Sequence, residues 1–225
     1  MSDWLLALTN PPLDPPLDRL DDVMTRWEGM AGDAFARAVT GGALADRLGL
    51  AFAAGYRSAL LALTGEASHA ALCITEEGGA HPRAIRTRVD VDGDTASLTG
   101  TKAWSTLAGS ARTLLVAASI GHEGDRNRLR VVRVPADAEG VTLHAMPPTP
   151  FTPEIPHYRV ELSGVRVPAE AILEGDGYDR VIKPFRTVED VHVVAAAAAH
   201  VVAVGRRAGW PSGWLAEGFA IVAAL

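Results

Sequence analysis

The sequence holds one cysteine, Cys73, and two lysines, Lys102 and Lys183, in 225 residues. A lone cysteine excludes an intramolecular disulfide, and no Cys/His set has zinc-ligand spacing, so no metal site is expected. With lysine scarce, arginine carries nearly all the positive charge, and the net charge of −6 gives no global attraction for nucleic acid or an anionic membrane. No run approaches about 18 consecutive strongly apolar residues, the length of a membrane span. The apolar stretch Val191–Val204 is interrupted by His192 and His200. The start, MSDWLLALTNPPLDPPLD, has neither a basic n-region nor a long apolar core, so no signal peptide is expected and the default location is cytoplasmic.

What is present is an ordinary globular balance, 48% hydrophobic and 21% charged, in a chain long enough for one or two domains. The pairs Pro11-Pro12 and Pro15-Pro16 predict an extended lead-in, because proline fixes φ and removes a backbone donor. Asp33 can cap a short helix that stops near Gly41-Gly42. Leu44, Leu48, Phe52 and Leu60 then recur at helical spacing before a stop at Gly65.

Beyond this the period changes. Residues 70–76, 85–91, 95–104, 112–119, 129–135, 141–146 and 157–168 read as strands, divided by turn signals at Asp92-Gly93, Gly121 to Gly124, Glu139-Gly140 and the proline cluster 147–156. Ile85, Thr87, Val89 and Val91 alternate with Arg86, Arg88 and Asp90, as in a strand with one wet face. Arg126, Arg128, Arg130 and Arg133 read as another solvated face. Helical spacing returns in 187–209, with Thr187 as N-cap, Glu189 and Asp190 in the first turn and Arg206-Arg207 in the last. Pro211 opens a final apolar helix that calls for a partner surface. The expected fold is α+β: N-terminal helices (1–66), an antiparallel β-barrel or sandwich (67–172) and C-terminal helices (173–225).

Leu72-Cys73-Ile74-Thr75-Glu76 and, further on, Gly100-Thr101-Lys102-Ala103-Trp104-Ser105-Thr106 carry the chemistry. In order and spacing these resemble the two flavin-contacting motifs of the acyl-CoA dehydrogenase family. Thr64-Gly65-Glu66, the Arg133-Val134-Pro135 stretch running to Gly140-Val141, and Gly164-Val165-Arg166-Val167-Pro168 followed by Leu173 to Gly177 extend the resemblance over roughly residues 60–205.

The resemblance implies FAD as cofactor and α,β-dehydrogenation of an acyl thioester, carried by CoA or a carrier protein. It also implies homo-oligomers or a partner subunit, with most of the family's C-terminal bundle beyond this chain. Leu72, Ile74, Thr75, Trp104, Ser105 and Thr106 are the implied flavin contacts. An indole suits the covering of one ring face, while the Thr75 and Thr106 hydroxyls and the backbone amides of Ile74, Thr75 and Ser105 are donors to the ring. His81 falls where the family has a serine that holds the substrate's arm, and is the candidate substrate contact. Pro82 there removes a backbone donor, and Leu72 replaces an aromatic. Glu189 falls where a minority of the family place the base that takes the α-proton. Two rival functions fit the same residues: flavin monooxygenation or carrier-protein thioester oxidation, and a non-catalytic interaction protein that keeps the fold with a degenerate flavin site.

Overall fold

The computed structural model describes residues 3–10 and 14–225, so Pro11-Pro12 lies outside the described residues. The chain forms two compact units. One gathers the chain up to Ala67 with Thr149–Ile155 and Phe185–Leu225; the other comprises Ser68–Pro148 and Pro156–Pro184.

The first unit is helical: α1 (Asp3–Thr9), α2 (Leu20–Glu28), α3 (Ala34–Leu44), α4 (Leu48–Thr64), α5 (Lys183–Arg207) and α6 (Ser212–Ala224). Part of the expected extended lead-in is therefore helical. The helix lies before the prolines and is held by burial, with Leu8 sealed in the core and the Trp4 ring meeting Phe35 edge-on at 6.3 Å, while Pro15-Pro16 is non-helical. The Asp33 carboxylate caps α3 by accepting from Ala36 N at 2.8 Å, and Gly65 ends α4 at φ 69°.

Gly41-Gly42 does not stop α3, which runs three turns to Leu44. These glycines instead allow close packing. A Cβ on Gly42 would stand 2.1 Å from the Ala196 carbonyl oxygen of α5, one on Gly41 2.5 Å from Ala54 Cβ of α4, and one on Gly55 2.7 Å from Val193 Cα. Leu8, Val39, Ala195, Ala199, Val202 and Val222 close the core around this seam.

Thr187 is not an N-cap either. The α5 helix begins at Lys183, directly after a π-helical turn, Tyr178–Ile182, and Pro184, which has no N–H to give, sits at that junction. Glu189 and Asp190 accordingly lie in the second turn. Tyr178–Arg207 is long and apolar enough to cross a membrane by composition (mean hydropathy 1.5), but its Ala195, Ala196, Ala199 and Val202 face is built into the helical core, as a core helix requires. His192 and His200 are packing residues, with their Nδ1 atoms 2.7 Å from Val188 O and 3.1 Å from Ala45 O.

The second unit is a seven-stranded sheet: β1 (Ala70–Cys73), β2 (Arg88–Asp92), β3 (Thr95–Thr106), β4 (Thr113–Glu123), β5 (Arg126–Pro135), β6 (Val141–Ala145) and β7 (His157–Pro168). The order is β1-β4-β2-β3-β7-β6, with β5 on β4. Strands of β-branched and leucine residues bury Cys73, Val89, Leu98, Val116, Val132 and Val165 in one core. Residues from both ends of the sheet share that core because the sheet curls on itself.

Most pairings are antiparallel as expected, but β1 and β2 each run parallel to β4, so the sheet is mixed. The long connections out of β1 and β3 allow the crossovers that parallel pairing needs. Gly121 is not a turn. It sits at φ 121° beside a register shift between Ser119 and His122, so β4 continues to Glu123 and the hairpin closes at Gly124 (φ 56°). The arginines of β5 form ion pairs as well as a wet face: Arg126 reaches Asp179 at 2.9 Å and Arg128 reaches Glu123 at 2.6 Å.

Candidate functional site

The two motifs meet on the β-unit. Past β1 the chain passes through Ile74 and Thr75, and the Thr75 carbonyl accepts from Ala103 N of β3 at 2.8 Å. Glu76 and Gly79 then exchange backbone hydrogen bonds of 3.1 and 2.8 Å, a tight turn that uses glycine at φ 99°. The Glu76 side chain folds back into the unit. One carboxylate oxygen accepts from Lys102 Nζ at 2.7 Å and Thr87 N at 3.0 Å, and the other from Arg86 N at 2.7 Å. Lys102 Nζ also donates to the Ile74 carbonyl at 3.2 Å. Burial alone would raise the Glu76 carboxyl, but the Lys102 hydrogen bond and charge, with the two backbone amides, outweigh it and hold the group below the usual carboxylate range.

A β-bulge aims the indole. The pairing of β3 with β7 passes from Lys102↔Val160 to Ser105↔Tyr158, three residues against two. Across it Lys102 is buried, Trp104 stands out at 50% exposure with φ 53°, and Ser105 turns back in. A tryptophan in the left-handed region is strained. The indole is steadied by His157, whose ring meets it at 5.8 Å, and by Trp104 N donating to Met146 Sδ at 3.2 Å. It lines an open pocket of about 1020 Å³ with Glu76, Glu77, Gly78, Ala84, Arg86, Thr101, Ala103 and Arg159.

The six implied flavin contacts are therefore not equivalent. Thr75 is joined through its carbonyl to the residue before Trp104, and Ile74 is its half-buried neighbour. Thr106 is half-buried at the end of β3, opposite His157. The Ser105 hydroxyl is buried with no hydrogen-bond partner beyond the adjacent Cys73 thiol, a weak one. Leu72 is a buried strand residue opposite Leu115, and of the six implied contacts only Trp104 lines the pocket. Burial pushes the Cys73 thiol up to about 11, which leaves it inert as a nucleophile.

His81 is not brought to this pocket. Its Nδ1 accepts from Arg83 N at 3.2 Å, and it lines a separate hollow of about 500 Å³ with Arg83, Arg126, Asn127, Tyr178 and Asp179. Glu189 belongs to the helical unit, where burial first and the neighbouring Asp190 second raise its carboxyl to about 7. Arg86 and Arg159 lie outside the two motifs, and Thr101, inside the second, is not among the implied contacts. Arg86 read only as one wet position of an alternating strand, and Arg159 lies on a strand remote in sequence.

An exposed, strained indole at the wall of an open pocket fits a flat aromatic ligand such as an isoalloxazine. The class so defined is an α+β protein whose β-unit, inserted in sequence between helices, presents an aromatic-walled ligand pocket. Residues 71–165 match the family model for the acyl-CoA dehydrogenase middle domain. The β-unit is thus similar to the acyl-CoA dehydrogenase middle domain, and the whole chain is acyl-CoA dehydrogenase-like in fold.

Three solved structures show the likeness. The prolyl acyl carrier protein oxidase AnaB is 18% identical with a TM-score of 0.68, covering 91% of this chain and 65% of its own. FkbI, for biosynthesis of the methoxymalonyl extender unit of a polyketide, is 24% identical with a TM-score of 0.60, covering 86% and 61%. Butyryl-CoA dehydrogenase from Megasphaera elsdenii is 15% identical with a TM-score of 0.63, covering 83% and 57%. The chain thus spans between about half and two thirds of these proteins' length. No curated protein sequence matches it.

Proposed function

We propose that the protein is a flavoprotein of the acyl-CoA dehydrogenase type, acting on an acyl thioester in the α,β-position. The observation that carries this reading is the hydrogen bond from Ala103 N to the Thr75 carbonyl, 2.8 Å, which sets Thr75 beside a half-exposed Trp104 at the pocket wall. FAD, when bound, supplies the hydride acceptor. Trp104 would cover one face of the ring, and the Thr75 and Thr106 hydroxyls with the Ser105 amide would be its donors. Glu189 is the proposed base, since a carboxyl raised to about 7 is suited to taking and returning a proton near neutrality.

Within this reading, a carrier-protein thioester is favoured over free CoA as substrate. The support is the likeness to AnaB, a prolyl acyl carrier protein oxidase, which shares the fold across 91% of this chain. The proposed setting is cytoplasmic, in keeping with a single buried thiol, and the exposed Trp214, Ile221 and Leu225 of the helical unit favour an oligomer or a partner subunit.

The test is the colour of the purified protein and its anaerobic bleaching. A yellow preparation bleached by acyl groups on a carrier protein, and poorly by the same groups on CoA, supports the reading. A yellow preparation bleached by neither removes thioester dehydrogenation, and a colourless one that takes up no added flavin leaves the non-catalytic scaffold.

A further inference from the structure

The charges around the Trp104 pocket are nearly all spent on one another. Glu76 is paired with the buried Lys102, and Arg159 with Glu161. Arg86 differs. Among the described residues its guanidinium has no hydrogen-bond or ion-pair partner, and it is exposed at the wall of the same pocket.

Arg86 also stands on a rigid base. Its own amide and that of the buried Thr87 both donate to the Glu76 carboxylate, at 2.7 and 3.0 Å. The other unpaired charge of the pocket, Glu77, lies at the tip of the Glu76–Gly79 turn with no such anchor. Lys102 neutralises Glu76, which leaves Glu77, among the described residues, as the one unpaired carboxylate of this lining to oppose an anion. Thr101 adds an exposed hydroxyl to the same lining. A guanidinium without a protein partner, carried on an anchored backbone, and a hydroxyl in the same lining are donors that phosphate oxygens take, the guanidinium in bidentate, charge-assisted form.

We propose that Arg86, with Thr101, is a phosphate-binding subsite of the Trp104 pocket. The identity of its ligands rests on the function proposed above. The phosphate ester belongs either to a flavin nucleotide or to the pantetheine arm of a thioester carrier, and the two sources are separable.

The experiment compares wild type, Arg86→Met and Arg86→Lys by calorimetric titration with two ligand series: riboflavin, FMN and FAD, and pantetheine with 4′-phosphopantetheine. Arg86 is exposed and its backbone amide persists in both variants, so an unchanged thermal midpoint confirms folding. Arg86→Met is expected to weaken one phosphate-bearing ligand about 10- to 100-fold and leave its phosphate-free counterpart unchanged, with part of the loss recovered in Arg86→Lys. Loss confined to FMN and FAD assigns the phosphate to the flavin, and loss confined to phosphopantetheine assigns it to the arm. Equal loss with and without phosphate, no loss in either series, or a wild type that prefers phosphate in neither series overturns the subsite. A wild type that binds phosphopantetheine through Arg86 but no flavin keeps the subsite and removes the flavoprotein reading.

Discussion

Glu76 and Lys102 form an ion pair of 2.7 Å in which the lysine side chain is fully sealed from solvent and the glutamate is 7% exposed. It ties the exit of β1 to β3 two residues before Trp104. Removing one partner leaves the other charge buried alone, so Glu76→Gln or Lys102→Met is expected to cost about 3–5 kcal/mol, read from urea unfolding. The double variant should cost less than the sum of the two. The Glu76 carboxyl is held below its ordinary value, so its contribution is complete above the unfolded carboxylate pKa. That contribution fades as pH falls through the lower folded value. Wild type should therefore lose stability on acidification more steeply than Glu76→Gln.

Glu189 has the opposite sign. With its folded value raised to about 7, the folded state binds more protons than the unfolded one between about 4.5 and 7. Stability falls across that window as pH rises, and the cost of the ionised group persists above it. Glu189→Gln should remove this slope and gain on the order of 1 kcal/mol at pH 8, after allowance for partial exposure. If Glu189 is the base, the same variant loses turnover about 100-fold or more while flavin binding stays unchanged. A gain in stability with full activity would leave Glu189 as a strained helix residue only.

Trp104→Gly separates backbone strain from ligand contact. Glycine adopts φ 53° without penalty, so the variant should stay within about 1 kcal/mol of wild type in thermal unfolding. Flavin affinity should fall by about tenfold or more, since the ring loses its aromatic wall. A protein that unfolds instead would mark Trp104 as a core residue.

Two glycines of the helical unit, Gly42 and Gly213, make a contrasting pair. Gly42→Ala would drive a methyl to 2.1 Å from the Ala196 carbonyl and is expected to cost about 1–3 kcal/mol or more despite the better helix propensity of alanine. Gly213→Ala, in α6 with nothing within 4 Å, should stabilise by up to about 1 kcal/mol. Melting curves of the two variants test the pair.

Strands β3, β5 and β7 were legible in the sequence because they alternate buried and open positions against a common core, while β1 and β4, buried at consecutive residues, showed as short apolar runs. Parallel pairing onto β4 was not legible, since register between distant strands leaves no local trace. Helix ends misread where tertiary contact overrode local preference: Gly41-Gly42 carries the residue type of a stop but serves a seam with Ala54 and Ala196. At the site, ordered motifs brought out Thr75 and Trp104. Arg86 and the separate position of His81 depend on how the 76–87 segment folds back onto Glu76, and spacing along the chain does not encode that.

The indoles are unevenly shared between the units. Trp4, Trp27, Trp210 and Trp214 all lie in the helical unit, from the sealed Trp27 under two guanidinium groups to Trp214 at 65% exposure, and Trp104 alone belongs to the β-unit. Subtracting the emission of a Trp104→Phe protein from that of wild type therefore isolates one fluorophore at the pocket wall. The chain carries its own optical reporter for whatever ligand enters there, against a background set by the helices.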